Sequence, residues 1–270
     1  MTIFFFNHEI ENPVLRAIIV MGAVVFAVFV VALVLIIVLP LAGIALTGAF
    51  LITGVVLIVV LVTIPFLSFF GILFSNRKKG SGVEKNRIVD VEPFRKVKVS
   101  GAITVDIVCG QPQLLTVTTD ENLLESVKIA VEKEELSVSF ARSVSSKIGI
   151  KLQIEMPEIR SLRLYGATRA TITNVDSPEL LIRGSGACKV KAGGKCSNME
   201  VRFSGAGNLS AGELISEKMK IKLSGSAKAV VHATEKLTAK ITGAGKVICH
   251  GNPSEVHKHI SGAGKVEIVE

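Results

Sequence analysis

The 270-residue chain has no tryptophan and a single tyrosine, Tyr165. Proteins that grip single-stranded nucleic acid stack its bases on aromatic side chains, so nucleic acid is disfavoured as a partner. The four cysteines, Cys109, Cys188, Cys196 and Cys249, form no C-x-x-C pair. In a chain of this length that pattern excludes a disulfide-stapled miniprotein and predicts isolated, buried thiols. The redox compartment stays open.

Charge is missing altogether between Ala17 and Asn76. Soluble cores do not stay apolar over such a length, whereas a membrane crossing needs about 20 apolar residues. Two transmembrane helices are therefore expected, Val14–Leu39 and Ile44–Phe70, with Pro40 and the uncharged Leu41-Ala42-Gly43 as the turn of a hairpin. The chain also lacks a basic region ahead of a short apolar stretch, so no cleavable signal peptide is expected. Residues 1–76 read as a membrane anchor, residues 77–87 as a basic linker containing the flexible Gly80-Ser81-Gly82, and residues 88–270 as the folded domain. Arg77, Lys78, Lys79, Lys85 and Arg87 follow the second span. The positive-inside rule then places the folded domain on the cytoplasmic side of the cell membrane.

Acidic residues are scarce in the last part of the chain. Residues 160–270 hold 17 Lys and Arg against 9 Asp and Glu, a net +8 equal to that of the whole chain, while residues 81–159 hold 10 against 12. A basic balance confined to one region points to an anionic partner.

What the chain does have is a repeat. Tyr165-Gly166-Ala167, Ser185-Gly186-Ala187, Ser204-Gly205-Ala206, Ser224-Gly225-Ser226, Thr242-Gly243-Ala244 and Ser261-Gly262-Ala263 place their central glycines 20, 19, 20, 18 and 19 residues apart. Such a period suits one coil of a stacked solenoid. Counting from each glycine, offset −2 holds Leu164, Gly184, Phe203, Leu223, Ile241 and Ile260. Offset −4 holds Leu162, Ile182, Val201, Ile221, Ala239 and Lys258, and offset +4 holds Ala170, Val190, Leu209, Ala229, Val247 and Val266. Even offsets are small or apolar and odd ones mostly polar, the period-two signature of strands with one buried face. The expected fold is all-β, a parallel β-helix of about 19 residues per coil. The glycine marks a tight bend or a close approach of coils. Residues 88–159 read as looser strands that start and cap the column, with Ser100-Gly101-Ala102 an earlier copy of the motif.

The Ser-Gly-Ala-Gly runs at Ser204–Gly207 and Ser261–Gly264, with the opening Phe94-Arg95-Lys96-Val97-Lys98-Val99-Ser100-Gly101, resemble the head GIN domain family, described as putative auto-transporter adhesins. The resemblance covers about residues 88–270 and implies a right-handed β-helix without catalytic residues. It also implies an envelope or exported location, opposite to the side that the charges indicate.

Equal offsets of a parallel solenoid stack into columns. Offset −3 reads Arg163, Arg183, Arg202, Lys222, Lys240 and His259. Offset +3 reads Arg169, Lys189, Asn208, Lys228, Lys246 and Lys265, and offset −1 is Tyr165 followed by hydroxyl residues. Like charges stacked at strand spacing repel by some tenths of a kcal/mol per pair, and an anionic ligand along the column offsets that cost. Anionic lipid, acidic polysaccharide and a protein are the partners this pattern admits. The alternative is a solvated face that guards against edge-to-edge aggregation.

Enzymatic readings find little support. Acid–base carboxylate pairs do not recur at any offset, which disfavours a polysaccharide-modifying enzyme. Thr242–Lys246 and Ser261–Lys265 imitate a phosphate loop, but Val247 and Val266 stand where Ser or Thr is needed. No cofactor is expected. His257, His259, His232 and His250 are the only metal candidates, at spacings looser than zinc sites use. A homo-oligomer joined through the terminal coil 262–270 is the remaining structural alternative.

Overall fold

The computed structural model describes Phe4–Phe5, His8–Glu9, residues 78–140 and residues 144–269. They fall into two units, Met1–Arg77 and Lys78–Glu270. In the first unit Phe4–Phe5 pairs antiparallel with His8–Glu9. The expected spans Val14–Leu39 and Ile44–Phe70 lie outside the described residues. Among the described residues no helix is long and apolar enough to cross a membrane.

The second unit is a β-solenoid of about five turns. Its long strands are Arg169–Gly186, Lys189–Gly205, Asn208–Gly225 and Lys228–Gly243, each parallel to the next. Glu255–Ser261 and Lys265–Val269 form the terminal coil. Register shifts in the middle of each long strand, as between Ile172 and Val175, bend the chain around the core. The alternation read from the sequence is the alternation of burial: Leu162, Ile182, Val201 and Ile221 are fully buried, and so are Leu164, Leu209, Val247 and Ile241. Each such side chain contributes about 1.5–3 kcal/mol relative to exposure. Lys258, at the corresponding inward position of the terminal coil, is exposed.

Lys96–Ser100 and Thr104–Cys109 flank Gly101 and form the first coil. They lie in parallel register with Ser161–Gly166 and with the start of Arg169–Gly186. The residues between Cys109 and Ser161 form the expected cap. Glu135–Phe140 continues the stack and then pairs antiparallel with Val127–Glu132. Leu114–Asp120 pairs antiparallel with both Lys151–Met156 and Glu84–Ile88. A switch to antiparallel pairing ends a parallel column, because the chain reverses and no further coil can follow in register. The 3-10 turn Glu121–Ser126 buries Leu123 and Leu124.

The segment expected as a linker belongs to this domain. Lys78–Lys79 pairs with Val144–Ser145, and Glu84–Ile88 is a strand. Between them Gly80 donates its N–H to the Ser145 carbonyl at 2.9 Å, and Ser81 donates to the Asn122 Oδ1 at 2.9 Å. Fully buried Asp120 accepts the Gly82 N–H at 2.6 Å, the Lys147 N–H at 3.1 Å and the Ser146 hydroxyl. Burial opposes ionisation of Asp120, yet these donors hold its carboxyl below the usual range. Glycine is required here for fit as much as flexibility. A Cβ on Gly80 would overlap the Asp120 carboxylate, and Gly82 adopts φ +86°.

Candidate functional site

Gly166, Gly186, Gly205 and Gly225 each sit at a corner where three consecutive residues are exposed between buried −2 and +2 positions. Gly186, Gly205 and Gly225 have φ of +105°, +103° and +100°. A Cβ on them would lie 2.6, 2.9 and 2.8 Å from the carbonyl oxygen of the glycine one coil below. Bend and close approach thus coincide, and only glycine meets both demands. The corner N–H groups are already used. Ala187 donates to Gly166 O at 3.0 Å, Ala244 to Gly225 O at 3.0 Å and Lys246 to Ala227 O at 2.9 Å. Thr242–Lys246 therefore has no free amides at Ala244 or Lys246 with which to cradle a phosphate.

The two basic columns flank this corner. The register sets Arg163 opposite Arg183, then Arg202, Lys222, Lys240 and His259 in succession. On the other side Arg169 lies opposite Lys189, followed by Asn208, Lys228, Lys246 and Lys265. Adjacent members are separated by the strand spacing, about 4.8 Å. Carboxylates from elsewhere reach some of them. Arg163 pairs with Glu135 at 3.0 Å and Arg202 with Glu200 at 2.6 Å, while Glu267 bridges Lys246 at 2.8 Å and Lys265 at 2.7 Å. The hydrogen bond from Arg202 holds Glu200 below the usual carboxylate range. Those from Lys246 and Lys265 bring Glu267 to about 2. Among the described residues Arg183, Lys222, Lys240, Arg169, Lys189 and Lys228 have no carboxylate partner. The buried Nε atoms of Arg163 and Arg183 have no hydrogen-bond acceptor.

A groove of about 740 Å³ crosses the coils next to the −3 column, and of the column residues it takes in only Arg163. Its other cations are Lys96, Arg160, Lys218, Lys220 and Lys236, accompanied by Glu134, Glu179 and Glu200. Sequence reasoning missed these lysines because offsets −7 and −5 mix charge types from coil to coil. Arg160 is held by Glu158 at 3.1 Å, and Glu158 also accepts the Ser177 hydroxyl at 3.0 Å. Burial raises the Glu158 pKa, but these bonds and the charge of Arg160 keep it lowered.

The four cysteines are free and buried, as expected. Loss of hydration pushes Cys109 up to about 11 and Cys196 up to about 12, so neither presents a thiolate at neutral pH. His232 and His250 lie in register on adjacent coils, and His257 contacts Glu255 at 2.5 Å. Among the described residues no three His, Cys, Asp or Glu side chains converge in an arrangement able to hold a metal.

The solenoid is shared with a solved structure. A "putative adhesin" from Bacteroides fragilis NCTC 9343 superposes with TM-score 0.60 at 18% identity, covering 71% of this chain and 99% of that one. A "putative adhesin" from Parabacteroides distasonis ATCC 8503 gives 0.47 at 19% identity, covering 72% of this chain and 100% of that one. A "putative lipid binding protein" from the same organism gives 0.45 at 20% identity, with coverage of 72% and 100%. No curated protein matches the sequence. The family model described as "Putative auto-transporter adhesin, head GIN domain" matches residues 93–253, more than half of the sequence, and the chain belongs to that family.

Proposed function

We propose that this chain is a membrane-anchored, adhesin-like binding module without catalytic activity, and that its Lys and Arg columns contact an anionic surface or polymer. The observation that carries the reading is the run Arg183, Lys222 and Lys240 on one side of the corner and Arg169, Lys189 and Lys228 on the other. These cations are stacked in register and have no carboxylate partners among the described residues. Stacked like charges cost stability, and an external anion relieves that repulsion. The family's description as adhesins agrees with a role in binding. The N-terminal apolar segment supplies the anchor in this reading, with both membrane faces still open for the domain.

Converting Arg183, Lys222 and Lys240 together to Gln should weaken retention on vesicles containing anionic lipid and on acidic polysaccharide, and raised salt should do the same to the native chain. Unchanged retention of the triple variant on both would leave the columns as a solvating face and remove the reading.

A specific observation favours end-to-end assembly as a second reading. The terminal coil leaves Ile260, Ile268 and Val269 about two-fifths exposed. Lys258 at an inward position opposes it, since an inward charge blocks edge pairing.

A further inference from the structure

The groove beside the −3 column has a composition that the columns lack. Its floor is Leu180, Met199 and Met219, all buried. Two rows of polar side chains run along it in coil register. One row reads Glu179, Asn198, Lys218 and Lys236, and the other ends in Glu200, Lys220 and Thr238. Successive members are about 4.8 Å apart. Carboxylates, an amide, cations and a hydroxyl are therefore lined up along one open channel. Ser161 also lines it, 5% exposed, with a hydroxyl that has no hydrogen-bond partner among the described residues. A buried hydroxyl without a partner is costly, and a ligand that supplies one removes the cost.

We propose that this groove binds an acidic oligosaccharide, a run of sugar units carrying carboxylates. The proposal rests on the reading of the chain as a binder of anionic polymers, and names both the polymer and a place for it away from the columns. An extended glycan presents donor and acceptor hydroxyls along its whole length, which suits rows of mixed polarity. Its carboxylates suit Lys218 and Lys220, which have no carboxylate partner among the described residues, whereas Lys236 is already held by Glu255 at 2.7 Å. A polyphosphate chain offers only acceptor oxygens and so has no donor for Glu179 and Glu200, whereas each sugar unit brings donor hydroxyls beside its carboxylate. No aromatic side chain lines the groove, so a base has nothing to stack on. An acyl chain needs an enclosed apolar cavity, whereas this channel is open and its apolar floor is already packed in the core.

The test uses the full-length chain in detergent with a short oligogalacturonate as probe, a neutral malto-oligosaccharide of equal length, and vesicles containing phosphatidylglycerol. Lys218 and Lys220 are both exposed, so the double variant Lys218→Gln/Lys220→Gln should keep the native melting temperature. It should bind oligogalacturonate about tenfold or more weakly, the scale of losing hydrogen bonds to a charged group. The variant Arg183→Gln/Lys228→Gln, which removes two column cations, should lower vesicle retention and weaken oligogalacturonate binding less than Lys218→Gln/Lys220→Gln does. Absence of oligogalacturonate binding, equal binding of the neutral sugar, or binding untouched by the lysine pair would each overturn the proposal. If the loss instead follows Arg183 and Lys228, the groove assignment fails while the columns keep their role.

Discussion

The ring of Phe203 occupies the space that a side chain on Gly184 would need. The two residues are opposite one another in adjacent coils, both at the inward offset −2. A Cβ on Gly184 would overlap the ring, and one on Gly207 would approach Phe203 Cγ to 2.8 Å. The sequence carries both halves of this compensation: offset −2 is large and apolar in every copy except the one beneath the phenylalanine.

Gly184→Ala is therefore expected to destabilise the domain by about 1–3 kcal/mol through overpacking. Phe203→Leu should recover part of that loss, so the double variant falls short of the sum of the single effects. Denaturation midpoints of the four species check this, and strict additivity would show that the ring can move aside.

The Lys246–Glu267–Lys265 contact ties the terminal coil to the one before it. Hydrogen bonds from the two lysines bring the Glu267 carboxyl from 4.5 to about 2. A depressed carboxylate contributes stability that is present above its unfolded pKa and lost as pH falls through the folded one. The contribution is thus complete above about pH 4.5 and disappears towards pH 2. Carboxyl titration by NMR should give a Glu267 midpoint near 2, moving upward in Lys246→Gln/Lys265→Gln. A midpoint at the ordinary glutamate value in the native chain would contradict the contact.

All four thiols should resist a thiol reagent at pH 8 in the folded chain and react once it is denatured, since each cysteine is buried. Native cysteines are consequently no reporters of which membrane face the domain occupies. Ser204→Cys, at an exposed corner position, should label in the folded protein and can serve that purpose. Fast labelling of native Cys188 or Cys249 would show that the coils open.

The strand pattern and the coil spacing were legible because both are local. Alternation assigns the inward face residue by residue, and a constant period brings equal offsets into register, as Ile182, Val201 and Ile221 illustrate. The corner glycines were legible as structural for the same reason. Gly80-Ser81-Gly82 was misread as a flexible linker because its composition is that of one. Its order comes from Asp120, 38 residues beyond Gly82, and from Asn122. The partner of Arg163 was hidden in the same way, since Glu135 belongs to the cap inserted between two copies of the motif.

The sequence by itself determined a parallel stack of coils, its inward and outward faces and the order of cations along two columns, because these follow from backbone periodicity. Only the tertiary structure decided which cations keep their charge unopposed and where a groove opens. Ion pairs such as Lys246–Glu267 and the cleft around Ser161 form between side chains of different coils. Their meeting depends on the bends between strands, which alternation does not encode.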